Sequence, residues 1–138
     1  MNLRFAFAVN TVGDFQEKHF GDADKYIIYE YDSKELVFVD EIENIKKDID
    51  ENKEHGSSKK GNEIINFLKG FEVKVLVSMQ FGKNIKMIDK HFVPIIVSHP
   101  NLKEAIRVIE ENTNYIQKEI NSKHSDYMLF RINNGVLK

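Results

Sequence analysis

The sequence predicts one α/β domain with a five-stranded mixed sheet, and three observations carry that expectation. The chain opens with an apolar strand pattern, a hairpin pattern follows, and strand–helix alternation comes after it. The order is therefore β, β, β, α, β, α, β, α. The hairpin is antiparallel, and right-handed crossovers make the later strands parallel. A length of 138 residues suits one hydrophobic core and leaves too little chain for two.

Each element has its own signal. Leu3-Arg4-Phe5-Ala6-Phe7-Ala8-Val9 puts large side chains on one face and Arg4, Ala6 and Ala8 on the other, as in a strand covered on both sides. Residues 10–24 are polar, contain Gly13 and Gly21, and lack a helical period, which marks an ordered excursion. Two β-rich runs, 25–31 and 35–40, are joined by Asp32-Ser33-Lys34, a hairpin signal. Residues 43–60 are charged and bury nothing obvious, so they read as a solvated loop. Ser57 or Ser58 caps a crossover helix with Gly61, Ile64, Ile65 and Leu68 on its apolar face and Gly70 at its C′ position. A short strand at 73–77, a short helix at 82–90 carrying Ile85 and Ile88, and a strand at 92–97 come next. Asn101, with Glu104 three residues on, caps a last helix of about five turns whose buried stripe is Leu102, Ala105, Ile106, Ile109, Ile116 and Ile120. Residues 127–132 have strand character before Asn133-Asn134-Gly135 interrupts it. The division is thus a domain of residues 1–120 and an extension of 121–138, which is either an added edge strand or a contact to a second subunit.

Composition removes whole classes of function. Zero cysteines exclude a Cys₄ zinc site, a cysteine nucleophile and a thiolate-anchored iron–sulfur cluster. Twenty Lys and Arg against 22 Asp and Glu, a formal charge of −2, create no global field for nucleic acid or anionic membrane. No apolar run approaches the ~20 residues that cross a bilayer, and the N-terminus has no secretory pattern. A cytoplasmic protein without membrane or nucleic-acid partners is expected.

Ligands of open α/β sheets bind beyond the carboxyl ends of the parallel strands. That rule selects the loop after the first strand with His19, the segment 78–83 after the fourth, and Ser98-His99-Pro100 after the fifth. The N-terminus of the crossover helix, with His55, Lys59 and Lys60, faces the same rim. Three of the five histidines are therefore expected to gather there. Each has a plainer reading: His19 as a loop histidine bonding a turn, His55 as an exposed side chain, His99 as a cap of the last helix. Met79 is either a core filler or a soft thioether ligand. Residues 78–83, with Gly82, place backbone N–H groups at a helix start, a weak anion cradle.

The segments Arg4-Phe5-Ala6-Phe7-Ala8-Val9-Asn10, His19-Phe20-Gly21-Asp22-Ala23-Asp24-Lys25-Tyr26, His55-Gly56 and Val75-Leu76-Val77-Ser78-Met79-Gln80-Phe81-Gly82-Lys83-Asn84 together resemble the dinitrogenase iron-molybdenum cofactor family, in order and over residues 1–120. The resemblance implies a ribonuclease-H-like, three-layer α/β/α fold. It also implies kinship with nitrogenase accessory proteins that bind the iron-molybdenum cofactor or an iron–sulfur precursor, and this chain is similar to the family's small stand-alone members. His19 matches the histidine of the family's His-Phe-Gly segment and His55 that of its His-Gly loop, which makes them the implied metal ligands. Met79, Gln80 and Lys83 complete the implied cofactor-binding set, although Met79-Gln80 stands where other members often have small residues. Without cysteine, a cluster would bring its own sulfide and be gripped by imidazole, thioether and cations such as Lys18, Lys59, Lys60 and Lys83.

The expected function is therefore a non-enzymatic binding or carrier protein for an iron-molybdenum or other iron–sulfur-type cofactor, served by a cluster donor or acceptor protein. The alternative is a regulatory or partner-binding module of the same fold without metal. Monomer and homodimer both stay open. A two-metal nuclease needs carboxylates on the first strand, and residues 3–9 contain none. Ser78, His19 and Asp22 form a trio a hydrolase could use, but the Gly-x-Ser-x-Gly elbow is absent.

Overall fold

The computed structural model describes residues 3–44, 56–82, 85–122 and 125–138. Its centre is β1, Leu3–Val9, where alternate residues enter two different cores. Leu3, Phe5, Phe7 and Val9 pack with Val75, Val77, Ile95, Val108, Ile109 and Ile116, whereas Ala6 and Ala8 pack with Phe20, Tyr26, Ile64, Leu68 and Leu76. Period-two alternation therefore sends the large residues to one face and the alanines to the other, where aromatic rings fill the space that small side chains leave.

β2, Lys25–Tyr31, runs antiparallel to β1 with Phe7 opposite Ile27. β3, Leu36–Glu43, runs antiparallel to β2 and continues beyond residue 40. A bulge inserts Val39, because Ile28 faces Asp40 while Tyr29 faces Phe38. In the hairpin Ser33 has φ +89°, and Asp32 Oδ1 accepts from Lys34 N and Glu35 N, both at 2.9 Å. These N–H groups hold the Asp32 carboxyl below the usual aspartate range. β3 is an edge strand with Val37, Phe38 and Val39 exposed. Further along the edge, the N–H of Leu36 donates to Glu110 Oε2 at 2.6 Å.

The crossover helix α1, Gly56–Lys69, buries Ile64, Ile65 and Leu68 as expected. Its end differs from the expectation: the left-handed residue is Glu72, with φ +59°, and not Gly70. Gly70 N still bonds Asn66 O, while Glu72 N reaches Lys69 O and Val73 N reaches Leu68 O, the bond pair of a Schellman cap two residues later. Val73 and Leu68 share one core cluster, and that contact places the cap where it is.

β4, Val75–Ser78, is parallel to β1, and β5, Val93–Val97, is parallel to β4. Between them lies α2, Ile85–Ile88. The predicted five-turn helix is instead α3, Leu102–Glu111, and α4, Thr113–Asn121. Asn112 breaks it at φ −127°, its Nδ2 donating to Val108 O at 2.7 Å, so a side chain takes the carbonyl that a continuing helix would use. Asn101 caps α3 through Glu104 N, as the pattern predicts.

Among the described residues the sheet has seven strands, not five, in the order β3-β2-β1-β4-β5-β6-β7. The two additional strands come from the extension: β6, Phe130–Asn133, parallel to β5, and β7, Val136–Leu137, antiparallel to β6. Asn134 and Gly135, with φ +53° and +75°, make the tight turn between them. Phe130 and Ile132 bury in the same core as β1, which is why the segment pairs inside the molecule. No helix among the described residues is long and apolar enough to cross a membrane.

Candidate functional site

β1 is the point where the chain departs to opposite sides, towards β2 on one and β4 on the other. The loops beyond β1 and β4 therefore meet at a sheet switch point. Phe20–Asp22 forms a short 3₁₀ turn, with Asp22 N bonding His19 O at 2.9 Å. Phe20 is fully buried and stacks on Tyr26 at 4.8 Å and on Phe81 at 5.6 Å, with interplanar angles of 27° and 12°. One ring from each loop thus locks the two loops together, and an isolated bridge between His19 and Gln80 aligns their backbones.

Two buried polar groups hold the His19 loop from behind. The Tyr26 hydroxyl donates to Phe20 O at 2.9 Å. Burial first, and the Asp22 carboxylate second, push this phenol well above its ordinary value, so it stays a neutral donor. Asn44 is buried, and its Nδ2 donates to Gly21 O at 2.8 Å and Ala23 O at 2.9 Å. The imidazole of His19 stands exposed on this braced loop and lines a surface depression with Glu17, Lys18, Asp22 and Gln80. Gly82, at φ +68°, lies directly against the imidazole.

The remaining sequence candidates are distributed differently. Gln80 is exposed beside His19, as expected of a rim residue. Met79 is half-buried against the core that contains Val75 and Val77, which fits the core-filling reading. His99 is exposed but lines a separate shallow depression with Asn101, Glu104 and Gly135, and Asn101 performs the capping once open to His99. Ser78 is buried, and its hydroxyl donates to Gln80 O at 2.9 Å, so it is committed to its own turn and inaccessible as a nucleophile. His55 and Lys83 lie outside the described residues, and of Lys59 and Lys60 only the helical backbone is described. Sequence reasoning missed Phe20, Phe81, Tyr26 and Asn44 as supports of the site. Aromatic residues flanking both loops were the available signal.

Among the described residues the donor set of this depression is the His19 imidazole with amide, carboxylate and ammonium neighbours. Among the described residues no group of three or more His, Cys, Asp or Glu could enclose a metal ion.

The domain is an open mixed α/β sheet with an imidazole-bearing rim at its switch point. The chain belongs to the dinitrogenase iron-molybdenum cofactor family, whose sequence model matches residues 1–112. The match includes β1, the His19 loop, Gln80 and Gly82, and stops before β6 and β7. No curated protein matches the chain.

Proposed function

We propose that this protein is a non-enzymatic carrier for an iron-molybdenum or other iron–sulfur-type metal cofactor, with His19 as a ligand to the cargo. The observation that carries the reading is the exposed imidazole of His19, held at the switch-point rim by the Phe20–Phe81 stack and by Asn44. Family membership supports the class of cargo. A prebuilt cluster supplies its own sulfide, so a single imidazole grips it without the thiolates this chain lacks. Lys18 lies in the same depression and can pair with an anionic group of the cargo, beside the Glu17 and Asp22 carboxylates. Gln80 offers an amide beside the ligand, and His55 and Lys83 join the set by sequence alone. A single-point grip also favours release, so the partner is a protein that donates or accepts the cluster. The reading includes a ribonuclease-H-like three-layer arrangement, supported by separate cores on the α1 and the α3–α4 faces of the sheet, and action in the cytoplasm.

The test is anaerobic. Protein is incubated with isolated iron-molybdenum cofactor or a reconstituted iron–sulfur cluster, separated on a sizing column and assayed for co-eluting iron and molybdenum. Stoichiometric metal on the wild type and at least ~10-fold less on His19→Ala is the expected result, with His99→Ala unchanged. No metal on the wild type removes the carrier reading. It would favour a partner-binding module, for which the exposed Val37-Phe38-Val39 edge of β3 is the supporting observation.

A further inference from the structure

We propose that Gly82 is a positioning residue for His19, holding the imidazole by its face so that the ring nitrogens are presented to the cargo; this rests on His19 as the cofactor ligand. A Cβ at Gly82 would sit 2.5 Å from Nδ1, 2.7 Å from Cε1 and 2.8 Å from Cγ of His19. Three adjacent ring atoms at nearly equal distance place that point over the ring face. An approach in the ring plane towards Nδ1 would hold the two carbons distinctly farther away. The imidazole therefore lies across the space where every other residue carries a side chain. Gly82 leaves the in-plane lone-pair directions of the ring unobstructed, and those are the directions in which a metal binds.

The arrangement is built from both loops. The His19–Gln80 bridge and the Phe20–Phe81 stack fix the backbones on either side of the contact. Position 82 is then placed against the ring with φ +68°, a conformation that glycine adopts without steric cost. Backbone strain and ring contact are two separate demands on this residue, and the molecule supplies a matched control for the first. Gly13 also has positive φ, +94°, yet nothing lies within 4 Å of its would-be Cβ. Gly13→Ala adds strain without touching a ring, whereas Gly82→Ala adds strain and displaces one.

The experiment combines three measurements on the full chain. Side-chain ¹H–¹⁵N and Cε1–H NMR spectra report the His19 ring. Gly82→Ala is expected to shift and broaden these signals, and Gly13→Ala to leave them unchanged. Uptake of a reconstituted iron–sulfur cluster is expected to fall about 10- to 100-fold in Gly82→Ala, the range for residues that orient a metal ligand, and to stay at the wild-type level in Gly13→Ala. A double-mutant cycle covers the case in which Gly82→Ala unfolds: with His19→Ala in place the clash is gone, so Gly82→Ala should then cost no more stability than Gly13→Ala does. Wild-type ring signals and uptake in Gly82→Ala, or no coupling in the cycle, would overturn the proposal. A perturbed ring in Gly82→Ala alongside no cluster uptake by the wild type would instead leave the positioning intact and remove the carrier function.

Discussion

At Asn44 one side chain braces the loop that presents His19. Its amide supplies hydrogens to both Gly21 O and Ala23 O from the end of β3, while its backbone N–H bonds Asp24 O at 3.2 Å. Replacing it with alanine removes the donor that both carbonyls share, in a setting where little water can substitute. Asn44→Ala is expected to lower stability by about 1–3 kcal/mol, measured by urea denaturation, and to speed amide exchange selectively around residues 19–24. A uniform change in exchange across the sheet would contradict this local role. His19 was legible in the sequence because its signature is contiguous: a histidine, an aromatic and a glycine before a strand. Asn44 was not, because its bond to Gly21 spans 23 residues and nothing near position 44 announces the partner. The closeness of Gly82 to His19 was hidden for the same reason. It exists only once β1 and β4 lie side by side.

At the scale of elements, local patterns located the strands and helices and missed where side chains compete with the backbone. The stripe from Leu102 to Ile120 is continuous, yet Asn112 divides it by bonding Val108 O. The glycine after α1 suggested the cap, but the Leu68–Val73 contact moved the reversal to Glu72. A non-glycine residue at φ +59° is strained there, so Glu72→Gly is expected to raise stability by about 1 kcal/mol, read as a higher urea midpoint with unchanged m-value. The turn residues Asn134 and Gly135 were visible in the sequence. Their strands' partner was not, since pairing to β5 depends on the parallel crossover through α3 and α4. That extension is tied down at two points, Met128 N to Glu119 Oε2 at 2.8 Å and Tyr127 N to Asp89 O at 2.7 Å.

For the whole molecule, the Asp89 side chain makes stability depend on pH. Desolvation first, and the nearby Asp126 carboxylate second, raise its carboxyl above the ordinary aspartate value. Its Oδ1 is buried without a hydrogen-bond partner among the described residues. A raised folded-state value means that the native state binds the proton more tightly than the unfolded chain. The stability Asp89 contributes is thus present below the ordinary aspartate range and lost as pH rises through the folded value. Asp32, held low by backbone N–H groups, and His91, held low by desolvation and then by Lys69, Lys90 and Lys74, contribute with the opposite sign, losing stability as pH falls. Only a difference between proteins isolates one group. Asp89→Asn should gain stability relative to wild type as pH climbs from acidic to neutral, followed by thermal melts across that range. A pH-independent difference would refute the assignment. The two sheet edges bear on how this chain behaves when crowded with copies of itself. Bare amides along an edge are a template on which other chains stack into fibres. At the β3 end, beside Val37, Phe38 and Val39, the Glu110 carboxylate already occupies the Leu36 amide, and at the other end β7 is two residues long. The β7 end therefore offers only a stub, whereas β3, eight residues long with one amide occupied and three apolar side chains exposed, is the end at which stacking would start.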